Sequence, residues 1–314
     1  MVGMRGWWQD LTDLVLPAEC GGCGRPRTVL CPECRAVLSG TAPGRVRPVP
    51  EPPGLPVVHA AARYADEVRA TLLAHKERGA LALAAPLGTA LAGAVQAALR
   101  EAAGPAAAGG GVPVLLVPVP SARAAVRARG HDPARRIALA AAGELRRTGT
   151  AARVLAVLRQ RRTVADQSGL NSRQRMDNLA GALAVAPGAE RLLRGGSVVL
   201  VDDLMTTGAS LAEAARAVRT ATEPEERAGA CGRREQQAVA QRQFSGLVSY
   251  GEATTAVYRA AVREGTGEQI AGSAVGSPGR MHSVPGMAGA GRAGDVICAA
   301  VVAAPPDSFE INRN

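Results

Sequence analysis

The thirteen residues 198–210 read Val-Val-Leu-Val-Asp-Asp-Leu-Met-Thr-Thr-Gly-Ala-Ser. An apolar run stops at two adjacent carboxylates, Asp202 and Asp203. Hydroxyls then follow at Thr206, Thr207 and Ser210 around Gly208, before a helical pattern sets in at Leu211. This spacing suits the binding of a sugar phosphate. Gly208 lets the backbone approach a ligand closely, and the start of the next helix supplies free N–H groups and a positive dipole end. Residues Thr206, Thr207, Gly208, Ala209 and Ser210 are therefore the expected phosphate nest. Asp202 and Asp203, just before it, are placed to accept hydrogen bonds from ribose hydroxyls. The plainer alternative is a buried strand ending in a solvated acidic turn.

A second group of residues has ligand chemistry of its own. Of six cysteines, four fall within fifteen residues, as Cys20-x2-Cys23, seven intervening residues, then Cys31-x2-Cys34. Two such hooks supply the four thiolates that tetrahedral Zn²⁺ takes, and Gly24 permits the tight turn that aims backbone N–H groups at the sulfurs. A closed four-ligand set points to a structural site. Disulfides and a redox Cys-x2-Cys pair are the alternatives, the first requiring an oxidising compartment. Cys231 and Cys298 have no partners nearby in sequence.

Elements must hold these groups in place. The 314 residues suffice for one α/β domain with its own core plus additions. Apolar, β-branched runs at 112–119, 154–158, 179–185 and 198–201 predict buried strands, and 296–304 a further one. Between them, Asp132 and Pro133 form an N-cap and first helical residue for a helix reaching Arg147. Such alternation predicts an α/β fold with a doubly wound parallel sheet, whose ligands sit beyond the carboxyl ends of the strands. The expected organisation is a helix and zinc knuckle over 1–40 and a Pro-rich linker over 41–60. A folded domain over 61–221 with 295–314 follows, interrupted by a low-complexity insertion over 222–294 expected to be disordered. Within the first of these, Trp7, Trp8, Leu11, Leu14 and Val15 lie at helical spacing.

The net charge is +10, and Lys76 is the only lysine among 37 basic residues. A lone Lys in an Arg-rich chain is either chance or a requirement for a compact ammonium, as at a phosphate site. Basic turns suit polyanions, while 2% aromatic content leaves few platforms for stacking bases. Residues 79–99 carry no charge but are mostly Ala, broken by Pro86, Gly88 and Gly93, so a buried helix is expected rather than a membrane span. With Asp10 and Asp13 interrupting any signal-peptide core, a cytoplasmic protein without membrane association is expected.

Segment 198–210 resembles the phosphoribosyl-pyrophosphate (PRPP) motif of type I phosphoribosyltransferases. In order along the chain, the four-cysteine knuckle, Lys76 near Gly79, Pro118-Val119-Pro120, Arg129-Gly130 and Thr163, Gln167, Arg175, Asn178 resemble the competence protein F (ComF/GntX) family. The resemblance implies a type I phosphoribosyltransferase-like domain in which Asp202 and Asp203 hold the ribose and 206–210 the 5′-phosphate. It implies pyrophosphate, with Mg²⁺, against Ser121, Arg123 and Lys76. A lid over 159–178 would bring Arg162, Gln167 and Arg175 to the substrate, with Asp202, Asp203, Gln167 and Arg175 as the catalytic set. Where the family tends to have an aromatic residue and Asn-Gln after the Arg-Gly pair, this chain has His131-Asp132-Pro133. Two functions follow from the resemblance. One is transfer or hydrolysis of a phosphoribosyl group with Mg²⁺-dependent pyrophosphate release. The other is a non-catalytic accessory protein that binds nucleotide and single-stranded DNA in DNA uptake. A homo-oligomer is compatible with both.

Overall fold

The computed structural model describes residues 19–103, 112–162, 172–223 and 297–310. The chain divides into two units, residues 1–223 with 291–314 and residues 224–290, and every described residue belongs to the first. The apolar stripe at 7–15 and the insertion from 224 onward lie outside the described residues. In chain order the elements are α1 (Pro32–Ser39), β1 (Gly44–Val46), β2 (Val58–Arg63), α2 (Asp66–Glu77), α3 (Ala84–Ala103), β3 (Val114–Pro118), α4 (Arg123–Arg129) and α5 (Pro133–Arg147). They continue with β4 (Ala152–Val154), β5 (Leu158–Gln160), α6 (Ser172–Leu179), β6 (Leu183–Val185), α7 (Glu190–Leu193), β7 (Ser197–Leu204), α8 (Ala209–Thr222) and β8 (Ile297–Ala304).

Six strands form one sheet in the order β1-β2-β8-β7-β3-β4. All neighbours pair in parallel except β1, which runs antiparallel to β2 at the edge, so the sheet is mixed where a parallel one was expected. Alternate residues of the central strands enter two separate cores, as the two-residue period of a strand requires. Leu116, Val199, Val201, Ala300 and Val302 join Leu72 of α2, Leu91 and Val95 of α3 and Ile137 and Leu145 of α5. Leu115, Val117, Val198, Leu200, Ala299 and Val301 join Leu211, Ala214 and Val218 of α8 and Leu158 and Leu183 of the β5–β6 hairpin. Burial on both faces explains why these strands read as unbroken apolar runs.

Helix α5 begins as expected. Asp132 accepts a hydrogen bond from the Arg135 backbone N–H at 3.2 Å, with Pro133 in the first turn. The segment 81–102 is long and apolar enough to cross a membrane by length and composition alone, but 61% of it is buried inside the fold. It lies against β8 and α5 at close range. A Cβ added at Gly88 would collide with Ala140, so the small residues that weaken its membrane signal are the ones that let two helices approach.

Several expected boundaries move. The Pro-rich segment 41–60 supplies β1 and the start of β2, which completes the edge of the sheet. The single strand expected over 154–158 is divided between β4 in the main sheet and β5 in a separate antiparallel hairpin with β6. The strand expected over 179–185 is the end of α6, a turn with Gly181 at φ +69°, and the short β6. The arginine-dense turn after β3 is helical, forming α4.

Candidate functional site

The carboxyl ends of β3 and β7 lie side by side. Pro118 is in register with Val201, and the Val119 N–H donates to the Val201 carbonyl at 2.9 Å. Asp202 and Asp203 are therefore the last residues but one and two of β7, next to the turn through Ser121. The Asp203 N–H donates to Oδ1 of Asp202 at 2.9 Å, which folds that carboxylate back onto the backbone. The end of α2 reaches the same place. Lys76 Nζ donates to Asp203 Oδ2 at 2.9 Å, with the Asp203 side chain 8% exposed and that of Lys76 32% exposed.

Charge settles unevenly over this triad. Burial, and next the charge of Asp203, push the Asp202 carboxyl well above the usual carboxylate range, against the opposing pull of Lys76. Burial works to lower Lys76, but attraction to Asp203 and the hydrogen bond with it win, and the ammonium is held more firmly than usual. One acid is thus paired and its neighbour is biased toward its neutral form. Replacing Lys76 with Met strands a buried carboxylate beside another. The expected cost is about 1–2 kcal/mol, reduced from that of a fully buried pair because the ammonium reaches solvent. Urea unfolding of the two proteins checks it, and an unchanged midpoint would mean that the pair contributes nothing.

Beyond the acids, Gly208 takes φ +74° at the N-cap of α8, a conformation that favours glycine. Having no side chain, it leaves the first N–H groups of α8 without a side-chain cap. A Cβ there would come within 3.1–3.2 Å of Leu55 and Pro48, so the Pro-rich segment closes one side of the nest. Arg219 holds that segment by donating to the Gly54 carbonyl at 2.9 Å. A groove of about 360 Å³ runs along the flank of α8 between Pro52, Met176 and Arg216 and reaches Ala209 of the nest; neither acid lines it.

The cysteines converge as their spacing predicts. One sulfur from each of Cys20, Cys23, Cys31 and Cys34 lies within 4.8 Å of all the others. Cys23 and Cys31 Sγ are 3.6 Å apart, against about 3.8 Å for the edge of a tetrahedron with 2.3 Å Zn–S bonds. Gly24 at φ +78° makes the turn, and the N–H groups of Cys31 and Cys34 donate to the sulfurs of Cys20 and Cys31. Burial works to raise the Cys20 thiol, but hydrogen bonds from the backbone at Cys23, Cys31 and Gly22 draw it down to about 6. Burial pushes Cys34 the other way, reinforced by the neighbouring thiols. The residues fit Zn²⁺ in donor type, number and spacing.

No family model matches the chain, and no curated protein matches it.

Among the expected site residues, the structure brings Lys76 to the acid pair itself. Ser121 sits half-buried in the neighbouring turn, and Arg123 is exposed at the start of α4. Gln167 lies outside the described residues, and Arg175 is placed only as part of the backbone of α6. Arg162 donates to the carbonyls of Asn178 and Ala180 at 2.9 and 3.0 Å, closing the base of the expected lid. Its hairpin is fixed to α8 by buried Glu213, whose Oε1 accepts from the Leu183 N–H at 2.9 Å while Arg216 donates to both Glu213 oxygens and to the Leu183 carbonyl.

Sequence reasoning missed the neighbours of Lys76. Arg129 donates twice to Glu77, at 3.0 and 2.9 Å. The fully buried His75 meets His131 edge to face at 5.5 Å between ring centres. His131 Nε2 lies 3.2 Å from the His75 carbonyl oxygen and Nδ1 3.2 Å from that of Arg129. His131 thus ties the turn after α4 to the end of α2. Its signal in the sequence is His131-Asp132-Pro133 standing where the resemblance leads one to expect an aromatic residue and Asn-Gln.

Proposed function

We propose that the protein binds PRPP and is a type I phosphoribosyltransferase-like protein of the ComF/GntX kind, with a doubly wound domain and a structural zinc knuckle. Its activity on this reading is transfer or hydrolysis of a phosphoribosyl group with release of pyrophosphate. One observation carries it: an acid pair at the end of a central parallel strand leads into a helix whose N-terminus is capped by glycine, and the only lysine of the chain reaches that pair. The 5′-phosphate would take the N–H groups at the start of α8, which no side chain caps, and the ribose hydroxyls would meet Asp202 and Asp203.

Departure of pyrophosphate leaves positive charge on the sugar, so catalysis consists of positioning, charge compensation and exclusion of water. Asp203 pairs with Lys76 at 2.9 Å, and burial together with the charge of Asp203 pushes the Asp202 carboxyl up. A cation developing on the sugar is stabilised by the carboxylate oxygens beside it. The oxygen donors suit Mg²⁺ in kind, but one acid is engaged by Lys76, so they form no ready cage and the ion would arrive with the diphosphate. When bound it neutralises charge on the leaving group. Lys76, Ser121 and Arg123 are the groups of this chain that the resemblance assigns to the diphosphate.

The test is incubation with PRPP, Mg²⁺ and a panel of bases, following pyrophosphate release. Release that depends on PRPP and is lost on substitution of Asp202 and Asp203 is the expected result. A second reading, an accessory protein binding nucleotide and single-stranded DNA, is favoured by the exposed Arg123, Arg127, Arg135 and Arg136. Binding to single-stranded DNA that falls steeply with salt, without PRPP turnover, would select it.

A further inference from the structure

Three consecutive residues at the end of α2 each grip a different segment. The His75 carbonyl faces His131, Lys76 holds Asp203, and Glu77 holds Arg129. Both cations at this mouth are therefore engaged by acids of the protein itself, and they lie close enough for the charge of Arg129 to oppose that of Lys76. Two cations brought together through the consecutive residues Lys76 and Glu77 are what a ligand with two linked anionic groups would bridge.

The Arg129 pair is made to exchange. Its guanidinium presents two parallel N–H groups to the carboxylate, a fork that matches the oxygens of a phosphate equally well. The Glu77 side chain is 48% exposed and that of Arg129 22%. The acid therefore regains water readily when it lets go, whereas the guanidinium remains in the site. The backbone at Arg129 is held independently, by the turn at Gly130 with φ +75° and by the contact of its carbonyl with His131. Release of the side chain need not move the segment.

We propose that Glu77 sets the affinity of the site for a diphosphate by competing for Arg129. Binding of the diphosphate exchanges the Glu77–Arg129 pair for one between Arg129 and the ligand. No covalent step is involved. The inference rests on the PRPP reading, because it takes the diphosphate end of that ligand as the occupant of this mouth.

The test uses the full chain and calorimetric titration with two probes, inorganic pyrophosphate for the cations and ribose 5-phosphate for the nest. Glu77→Gln is expected to tighten pyrophosphate binding by roughly two- to five-fold, the scale of an exposed ion pair. Arg129→Met is expected to weaken it by about ten-fold, and Glu77→Gln in that background to have no further effect. Unchanged or weaker pyrophosphate binding in Glu77→Gln, or an effect that persists without Arg129, overturns the inference. Wild-type protein that binds ribose 5-phosphate but not pyrophosphate overturns it while leaving the PRPP reading in place. Binding of neither probe removes both.

Discussion

Replacing Cys23 with Ser is expected to abolish stoichiometric zinc and to destabilise the whole described unit, not merely the knuckle. Cys23 is the exposed member of the four, so serine in its place removes a ligand while disturbing little packing. The other three are buried within the core that holds α2, α3 and α5. The contact is close: a Cβ at Gly22 would lie 2.7 Å from Cys34 Sγ and 3.2 Å from Thr71 Oγ1 of α2, and one at Gly21 would lie 2.6 Å from Leu83. Without the metal, four thiols must share this space, and the loop that carries them loses its cross-link. The expected loss is ~3 kcal/mol or more. At 2–4 °C per kcal/mol for a unit of this size, Tm falls by roughly 6–12 °C. Metal analysis and thermal unfolding of both proteins are the measurements, and a strong chelator should bring the wild type down to the level of the variant. Near-zero zinc in both proteins, at equal stability, would mean that the cluster is a set of thiols without a metal.

The parts of the fold that were legible are those in which one local signal decides the structure. In β7 an apolar run ends at two carboxylates, and in α5 a capping Asp and a Pro precede a period of 3.6. The helix was read at its observed bounds, whereas the strand read over 198–201 runs from Ser197 to Leu204 and carries both acids within it. Strand β2 was not, because Val-His-Ala-Ala-Ala-Arg carries little β-propensity, and it is a strand only because β1 and β8 pair with it on either side. Likewise the prolines of 41–60 read as a spacer, while tertiary contacts with Gly208 and Arg219 give the segment a place over the nest. The site divides the same way. The acid pair, the nest and the cysteines are contiguous or regularly spaced, so residue order shows them. The partners of α2 are not, since Lys76 meets Asp203 across 127 positions and Glu77 meets Arg129 across 52. The scarcity of lysine pointed to Lys76, but nothing in the composition pointed to Glu77.

Replacing Asp202 and Asp203 together with Asn is expected to weaken PRPP binding by about 1–3 kcal/mol, or roughly 5- to 150-fold, in the presence of Mg²⁺. Asparagine keeps the shape and much of the hydrogen-bonding capacity, so the loss reports the charge. The single variants should separate the two acids by stability. The pKa of Asp202 is raised in the fold above its unfolded value, so the folded state holds its proton more tightly. That contribution is complete below the unfolded pKa and disappears as pH rises through the folded one. Asp202→Asn therefore makes the fold more stable relative to wild type at neutral pH, and the advantage shrinks as the solution is acidified. Asp203→Asn acts oppositely at neutral pH, because it removes the acid that the half-buried Lys76 ammonium meets at 2.9 Å. Stability gained at Asp202 together with affinity lost is what a residue retained for binding shows. Calorimetric titration with PRPP and Mg²⁺ and urea unfolding at two pH values give both readouts. Unchanged affinity in the double variant would reduce residues 198–210 to a strand and a turn, and the PRPP reading would lose its basis.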